Sequence, residues 1–142
     1  MPFDLIKSLP KPGHRFALPT LHGSSDAYAL AQAALELKAG KQMLVVLVSN
    51  ASDGQRLLEE IPWFANDQLR TCLLPDWETL PYDAFSPHQD LVSERLATLH
   101  EIQNGQCDVL IVPATTALVR LAPPSFLAAY TFFFKQGEKL DE

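Results

Sequence analysis

Met43-Leu-Val-Val-Leu-Val48 and Val109-Leu-Ile-Val112 are unbroken runs of leucine and β-branched residues, the pattern of strands covered on both faces, as in a parallel sheet. Both are far too short to span a bilayer. Helical patterns lie before, between and after them. Beyond Gly23, Ser24 or Ser25 can cap a helix reaching about Ala39, with Ala27, Leu30, Ala31, Ala34 and Leu35 on one face and Gly40 as its stop. Asn50 or Ser52 caps a second, carrying Leu57, Leu58 and Ile61 inward until Pro62 ends it. Asp90 to Asn104 forms a third on the stripe Val92, Leu96 and Leu99, with Gly105 after it. A short helix begins at Thr115 or Thr116 and stops at Pro123 and Pro124. Further strands are expected at Arg15 to Leu18, Thr71 to Leu74 and Tyr130 to Phe134. Strand alternating with helix describes an α/β domain: a three-layer parallel sheet with crossover helices.

Composition agrees with one such domain over residues 1–142. The chain is 47% hydrophobic and 20% charged, which is globular and neither disordered nor disulfide-stapled. Eleven Lys and Arg against seventeen Asp and Glu leave a formal charge of -6. That balance opposes counterion-release binding to DNA or to anionic lipid, so little direct DNA binding and no membrane association are expected. Cys72 and Cys107 each sit in or beside an apolar run and read as reduced core thiols of a cytoplasmic protein. No secretory signal is expected where Pro2, Asp4 and Pro10 interrupt the start. Phe132, Phe133 and Phe134 run into Lys135, Gln136 and Gly137 without a closing helix, which suggests a piece of a longer polypeptide.

In a parallel α/β sheet, ligands bind at the carboxyl ends of strands, which makes the loop Leu21-His22-Gly23-Ser24-Ser25-Asp26-Ala27 the first candidate site. A phosphate-binding loop needs glycines for backbone wrapping, a lysine for charge and a Ser or Thr hydroxyl for magnesium. This loop has one glycine, no lysine, and an aspartate near the helix start. His22, Ser24, Ser25 and Asp26 include the letters of a hydrolytic triad, but neighbours one or two apart at a helix start point in different directions. His14, His22, His88 and His100 lack metal-ligand spacing among themselves or with the cysteines.

The unusual segment is Pro75 to Gln89. It carries Trp77, Tyr82 and Phe85 among Asp76, Glu78 and Asp83, at the carboxyl end of an expected strand. It can form a binding surface, or its aromatics can fold back onto the sheet edge. Trp77 and Tyr82 are expected as buried anchors, with Glu78 and Asp83 fixing turns or pairing with Arg95. As paired carboxylates Glu78 and Asp83 also suit a glycosidase-like site, a weak match without a sugar-stacking groove. A small stand-alone α/β enzyme using this loop is the alternative function.

D-W-E-T-L-P-Y-D at Asp76 to Asp83, which includes Leu80 and Pro81, resembles the N-terminal, UvrB-like region of the bacterial transcription-repair coupling factors (Mfd). So do S-P-H-Q-D at Ser86 to Asp90, S-E-R-L-A-T-L at Ser93 to Leu99 and V-L-I-V-P at Val109 to Pro113. The resemblance implies a RecA-like, helicase-type domain of an ATP-dependent DNA translocase that displaces stalled RNA polymerase and recruits UvrA for nucleotide excision repair. It further implies that this domain has lost its nucleotide site. The motor that uses ATP and Mg lies further along the polypeptide, and the main UvrA contact belongs to the following domain. Laid over the UvrB phosphate loop, Gly23 falls on a glycine, Ser25 on the last glycine, Asp26 on the lysine and Ala27 on the Ser/Thr. The aromatic DNA-probing hairpin of UvrB finds no room before the helix near Asp90. The resemblance thus implies a non-catalytic scaffold or interaction domain with no cofactor of its own. Its contacts would be with adjacent domains, and through the parent with UvrA, RNA polymerase and DNA.

Overall fold

The strand Val109–Pro113 is buried at all five positions because it has a neighbour on each side and a helical layer on each face. The computed structural model describes residues 13–15, 17–77, 84, 86–125 and 127. In chain order the elements are α1 (Ser25–Ala39), β1 (Leu44–Val48), α2 (Ala51–Phe64), β2 (Thr71–Leu73), α3 (Gln89–Gln103), β3 (Val109–Pro113) and the single turn α4 (Ala114–Ala117). The sheet order is β1-β3-β2, all parallel. Leu44 stands opposite Val109 and Val48 opposite Pro113, while Thr71 faces Val109 from the other side.

Two apolar layers flank this sheet. On one face α1 and α2 enclose Ala27, Ala31, Ala34, Leu57 and Ile61 against Val48, Val109 and Ile111. Alanine dominates the buried face of α1, so that helix can approach closely. Gly54 does the same for α2: a Cβ there would lie 3.2 Å from Leu73 Cδ1 and 3.4 Å from Val48 Cγ2. On the other face Leu99 and Ile102 of α3 cover Cys72, Leu74, Cys107, Leu110 and Val112. The three-layer α/β arrangement expected from the strand and helix alternation is therefore present.

Several local expectations need correction. Met43 to Val48 is not covered on both faces: burial alternates along β1, leaving Val45 52% and Leu47 66% exposed. β1 is an edge strand of the described sheet, and the second helical layer packs over β2 and β3. Pro62 does not end α2, which continues to Phe64. Ile61, with no exposed surface, anchors the last turn, and the chain reverses only where Asn66 and Asp67 adopt positive φ. Gly40 caps α1 at φ -88°, and the left-handed residue is Lys41. Neither serine caps α1 through its side chain, whereas Asn50 caps α2 by accepting from the Asp53 N–H at 2.8 Å. Arg15, Ala17 and Leu18 are not in a strand. All three are exposed, so such a run gains neither ladder bonds nor burial. Residues 130–134 lie outside the described residues. No described helix is long and apolar enough to cross a membrane.

Candidate functional site

At the start of α1, the loop offered as a degenerate phosphate site is held by its own side chains. Gly23 takes φ +59°, which admits the turn into the helix. Asp26, in the first helical turn, accepts from the Ala27 N–H at 2.7 Å and so satisfies one of the free donors at the helix start. The same carboxylate accepts from Arg56 on α2, at 2.6 Å from Nη2 and 3.1 Å from Nη1. Arg56 Nη1 also donates to Glu60 at 2.8 Å, and Ser24 Oγ donates to the other oxygen of Glu60 at 3.1 Å. The Arg56 guanidinium beside it holds the Asp26 carboxyl below the usual aspartate range, and Asp26 in turn raises Arg56. Ala27 is wholly buried and offers only a methyl group.

Ser25 Oγ donates to the His22 carbonyl at 2.5 Å. Ser24, Ser25 and Asp26 thus reach three different partners, and no nucleophile–base pair forms among them. The four positions laid over a phosphate loop, Gly23, Ser25, Asp26 and Ala27, are together in space. Among the described residues Asp26 is bonded by the Arg56 guanidinium, which is already shared by two carboxylates.

The second place is the root of the long loop, beyond β2. Arg95 of α3 is 2% exposed; its guanidinium lies over the Trp77 ring, 4.2 Å from the centroid, and donates to the Pro75 carbonyl. Burial lowers the Arg95 pKa from its ordinary value, with Asp76 opposing that shift. Asp76 accepts from Thr115 Oγ1 at 2.6 Å and from the Trp77 N–H at 2.9 Å. The Thr115 hydrogen bond is the main cause of its lowered pKa. Thr98 Oγ1 donates to the Leu73 carbonyl at 3.2 Å, fastening α3 to the end of β2. Beside this root, a cavity of about 500 Å³ opens at the carboxyl ends of the strands, lined by Ser52, Gln55, Leu73, Asp76, Leu91 and Glu94 among others.

Trp77 is half-buried rather than fully buried, since one ring face meets Arg95 at the loop's edge. The partners found for Arg95 are Trp77 and the Pro75 carbonyl. Its expected pairing with Glu78 or Asp83 involves residues outside the described set, as do the roles of Leu80, Pro81 and Tyr82. The Asp26–Arg56 and Asp76–Thr115 pairs escaped the sequence reading. They join residues 30 and 39 positions apart, and no periodicity in one chain encodes such a separation.

Cys72 and Cys107 are both buried and free. Cys72 donates to Glu101 at 3.1 Å, and Glu101 also takes a hydrogen bond from Arg70. The neighbouring Cys107 sulfur, burial and Glu101 together push the Cys72 thiol up, so it stays protonated. Among the described residues no group of three or more His, Cys, Asp or Glu side chains is placed to hold a metal.

No family model matches the chain. Curated relatives do. It is 40% identical over 141 residues, 99% of its length, to the transcription-repair-coupling factor of Escherichia coli. Identity is 34% over 116 residues, 82% of the chain, to that of Haemophilus influenzae, and 33% over 91 residues to that of Rickettsia prowazekii. The chain spans 12% of the Escherichia coli protein and 10% of the Haemophilus one. The resemblance first carried by short motifs therefore extends along almost the whole chain.

Proposed function

We propose that this chain, homologous to a segment of the transcription-repair-coupling factors, is a non-catalytic scaffold and interaction domain in transcription-coupled DNA repair. Its 142 residues would form one UvrB-like, RecA-like domain within a longer cytoplasmic protein. That parent would be an ATP-dependent DNA translocase which displaces stalled RNA polymerase and recruits UvrA. The observation that carries this reading is the state of the α1 loop in a chain of that homology. Where a phosphate site needs a free cation, Asp26 stands instead, and it consumes the nearest arginine. A polyphosphate approaching this helix start would meet a carboxylate. With Asp26 and Glu60 sharing the single Arg56, the cluster is net negative and works against a helix-end attraction of about 1 kcal/mol.

No cofactor then belongs to this domain, and ATP and Mg are used by motor domains elsewhere in the parent. At the loop root Asp76 and Arg95 are already engaged in structural bonds, which supports the scaffold reading over an enzyme built on residues 75–89. Contacts with UvrA, RNA polymerase and DNA pass through the parent, while this domain packs against adjacent domains. A pull-down with UvrA tests the assignment. The present chain should retain little, and a polypeptide continuing past Glu142 into the following domain should retain it. Strong retention by the short chain would refute the division of labour.

A further inference from the structure

The outer surface of the α1–α2 layer carries three aromatic rings in edge-to-face contact. Phe64 meets Trp63 at 4.8 Å between centroids and 83° between planes, and meets Tyr28 of α1 at 5.6 Å and 76°. Trp63 is nevertheless 72% exposed and Tyr28 41%. Wholly buried Ile61, two residues earlier, fixes the rotation of the last turn of α2 and so directs Trp63 outward. Phe64 packs against the core beneath α1 and α2, and its ring contacts hold the exposed Trp63 and Tyr28 in place. Ordering a partner against them costs little side-chain entropy.

We propose that this patch docks an arginine-bearing protein segment. Charge complementarity is the first argument. Toward the end of α2, Glu59 and Glu60 outnumber Arg56, whose guanidinium is taken by Asp26 and Glu60. Glu59 lies one turn before Trp63 on the same side of the helix. Lys38 of α1 is occupied by Asp108 and the Gln68 carbonyl. Beside the rings Glu59, which accepts from Gln55 at 3.3 Å, is without an ionic partner among the described residues, and the chain as a whole carries -6. A guanidinium is the group that gains from both an acidic rim and an indole face. The molecule makes the same pairing internally, where Arg95 covers Trp77. Size is the second argument. Two such side chains bury a few hundred Å², roughly 150–250 Å² each, whereas a stable protein interface needs about 1,200–2,000 Å². The patch therefore suits a short segment held weakly within a larger assembly. It is too small to sustain a second copy of the chain, and its charge repels nucleic acid. The proposal is independent of the nucleotide reading of the α1 loop.

The two tryptophans give two indole N–H signals, so titration of the chain with the blocked peptide (Ser-Arg-Leu)3 at low salt reads the patch directly. The signal missing from Trp63→Ala should move saturably while that of Trp77 stays fixed, with a Kd on the order of 100 μM. Trp63→Ala, read from Tyr28 and Glu59 backbone amides, should weaken binding about tenfold, and its unchanged Trp77 signal reports that the fold is intact. Glu59→Gln should weaken binding about twofold at low salt and not at high salt. A citrulline peptide should not bind. Equal affinity for the citrulline peptide or for Trp63→Ala would overturn the proposal. So would a Trp63 signal that moves with protein concentration alone, which would mean a second copy, or one that responds more strongly to oligothymidylate.

Discussion

Asp26, in the first turn of α1, and Asp76, beyond the end of β2, both have an arginine close by, yet the two junctions are built differently. At the first, carboxylate and guanidinium meet directly, each side chain 36% exposed. At the second, Arg95 is buried and turns to an indole face and a backbone carbonyl, while Asp76 is satisfied by a hydroxyl and an N–H. Water screens the first pair, so its consequence is electrostatic and local: it neutralises a helix start. Dismantling the second would leave the buried Arg95 guanidinium without its partners. The same two residue types thus tie two helices together in one place and build a loop's foundation in the other.

Removing the buried arginine should have the largest effect. Arg95→Ala strips the Trp77 face and orphans the Pro75 carbonyl, and should cost about 3 kcal/mol in chemical denaturation. Trp77→Ala should cost about 2 kcal/mol, less than a fully buried tryptophan, because the ring is only half-buried. If Arg95→Ala costs no more than an exposed ion pair, the contrast between the junctions fails.

Gly54 lies between them, on the helix that carries Arg56 and in contact with Leu73 at the start of the loop root. Gly54→Leu should lift α2 from the sheet and destabilise by about 2 kcal/mol, the range of an overpacked core. A near-neutral result would show that the helix can shift without loss.

Acid compares the aspartates directly. Asp26 and Asp76 both have folded pKa values lowered by their partners. Their contributions are therefore present above the unfolded value, about 3.9, and are lost as the pH falls through the folded values. Melting temperature should drop below about pH 4, and Asp76→Asn should flatten that drop. An equally steep drop in Asp76→Asn would assign acid sensitivity elsewhere. Smallest of all, Asp26→Asn should change stability at neutral pH by about 0.5 kcal/mol, as exposed pairs do.

The contrast also shows what a single sequence reveals. The apolar run from Val109, the alanine face of α1 and the stop at Gly105, which takes φ +65°, are local signals, and each became the element expected. A run such as Leu44–Val48 does not encode its rank in the sheet, because edge or centre is decided by strands far away in sequence. Pro62 is a similar case. Its cost is local, but the burial of Ile61 that outweighs it is tertiary. At the α1 loop, the missing lysine and the presence of Asp26 were legible, whereas the arginine that answers Asp26 was not.

Calorimetric titration of the chain with magnesium and ATP tests the central claim most directly. The account predicts no binding in the micromolar range and no hydrolysis, for the chain itself and equally for Asp26→Lys, in which Ser25 and Ala27 still depart from a phosphate loop. Saturable micromolar binding by the unmodified chain would show that a loop neutralised by Asp26 and Arg56 still works, and would contradict the scaffold reading.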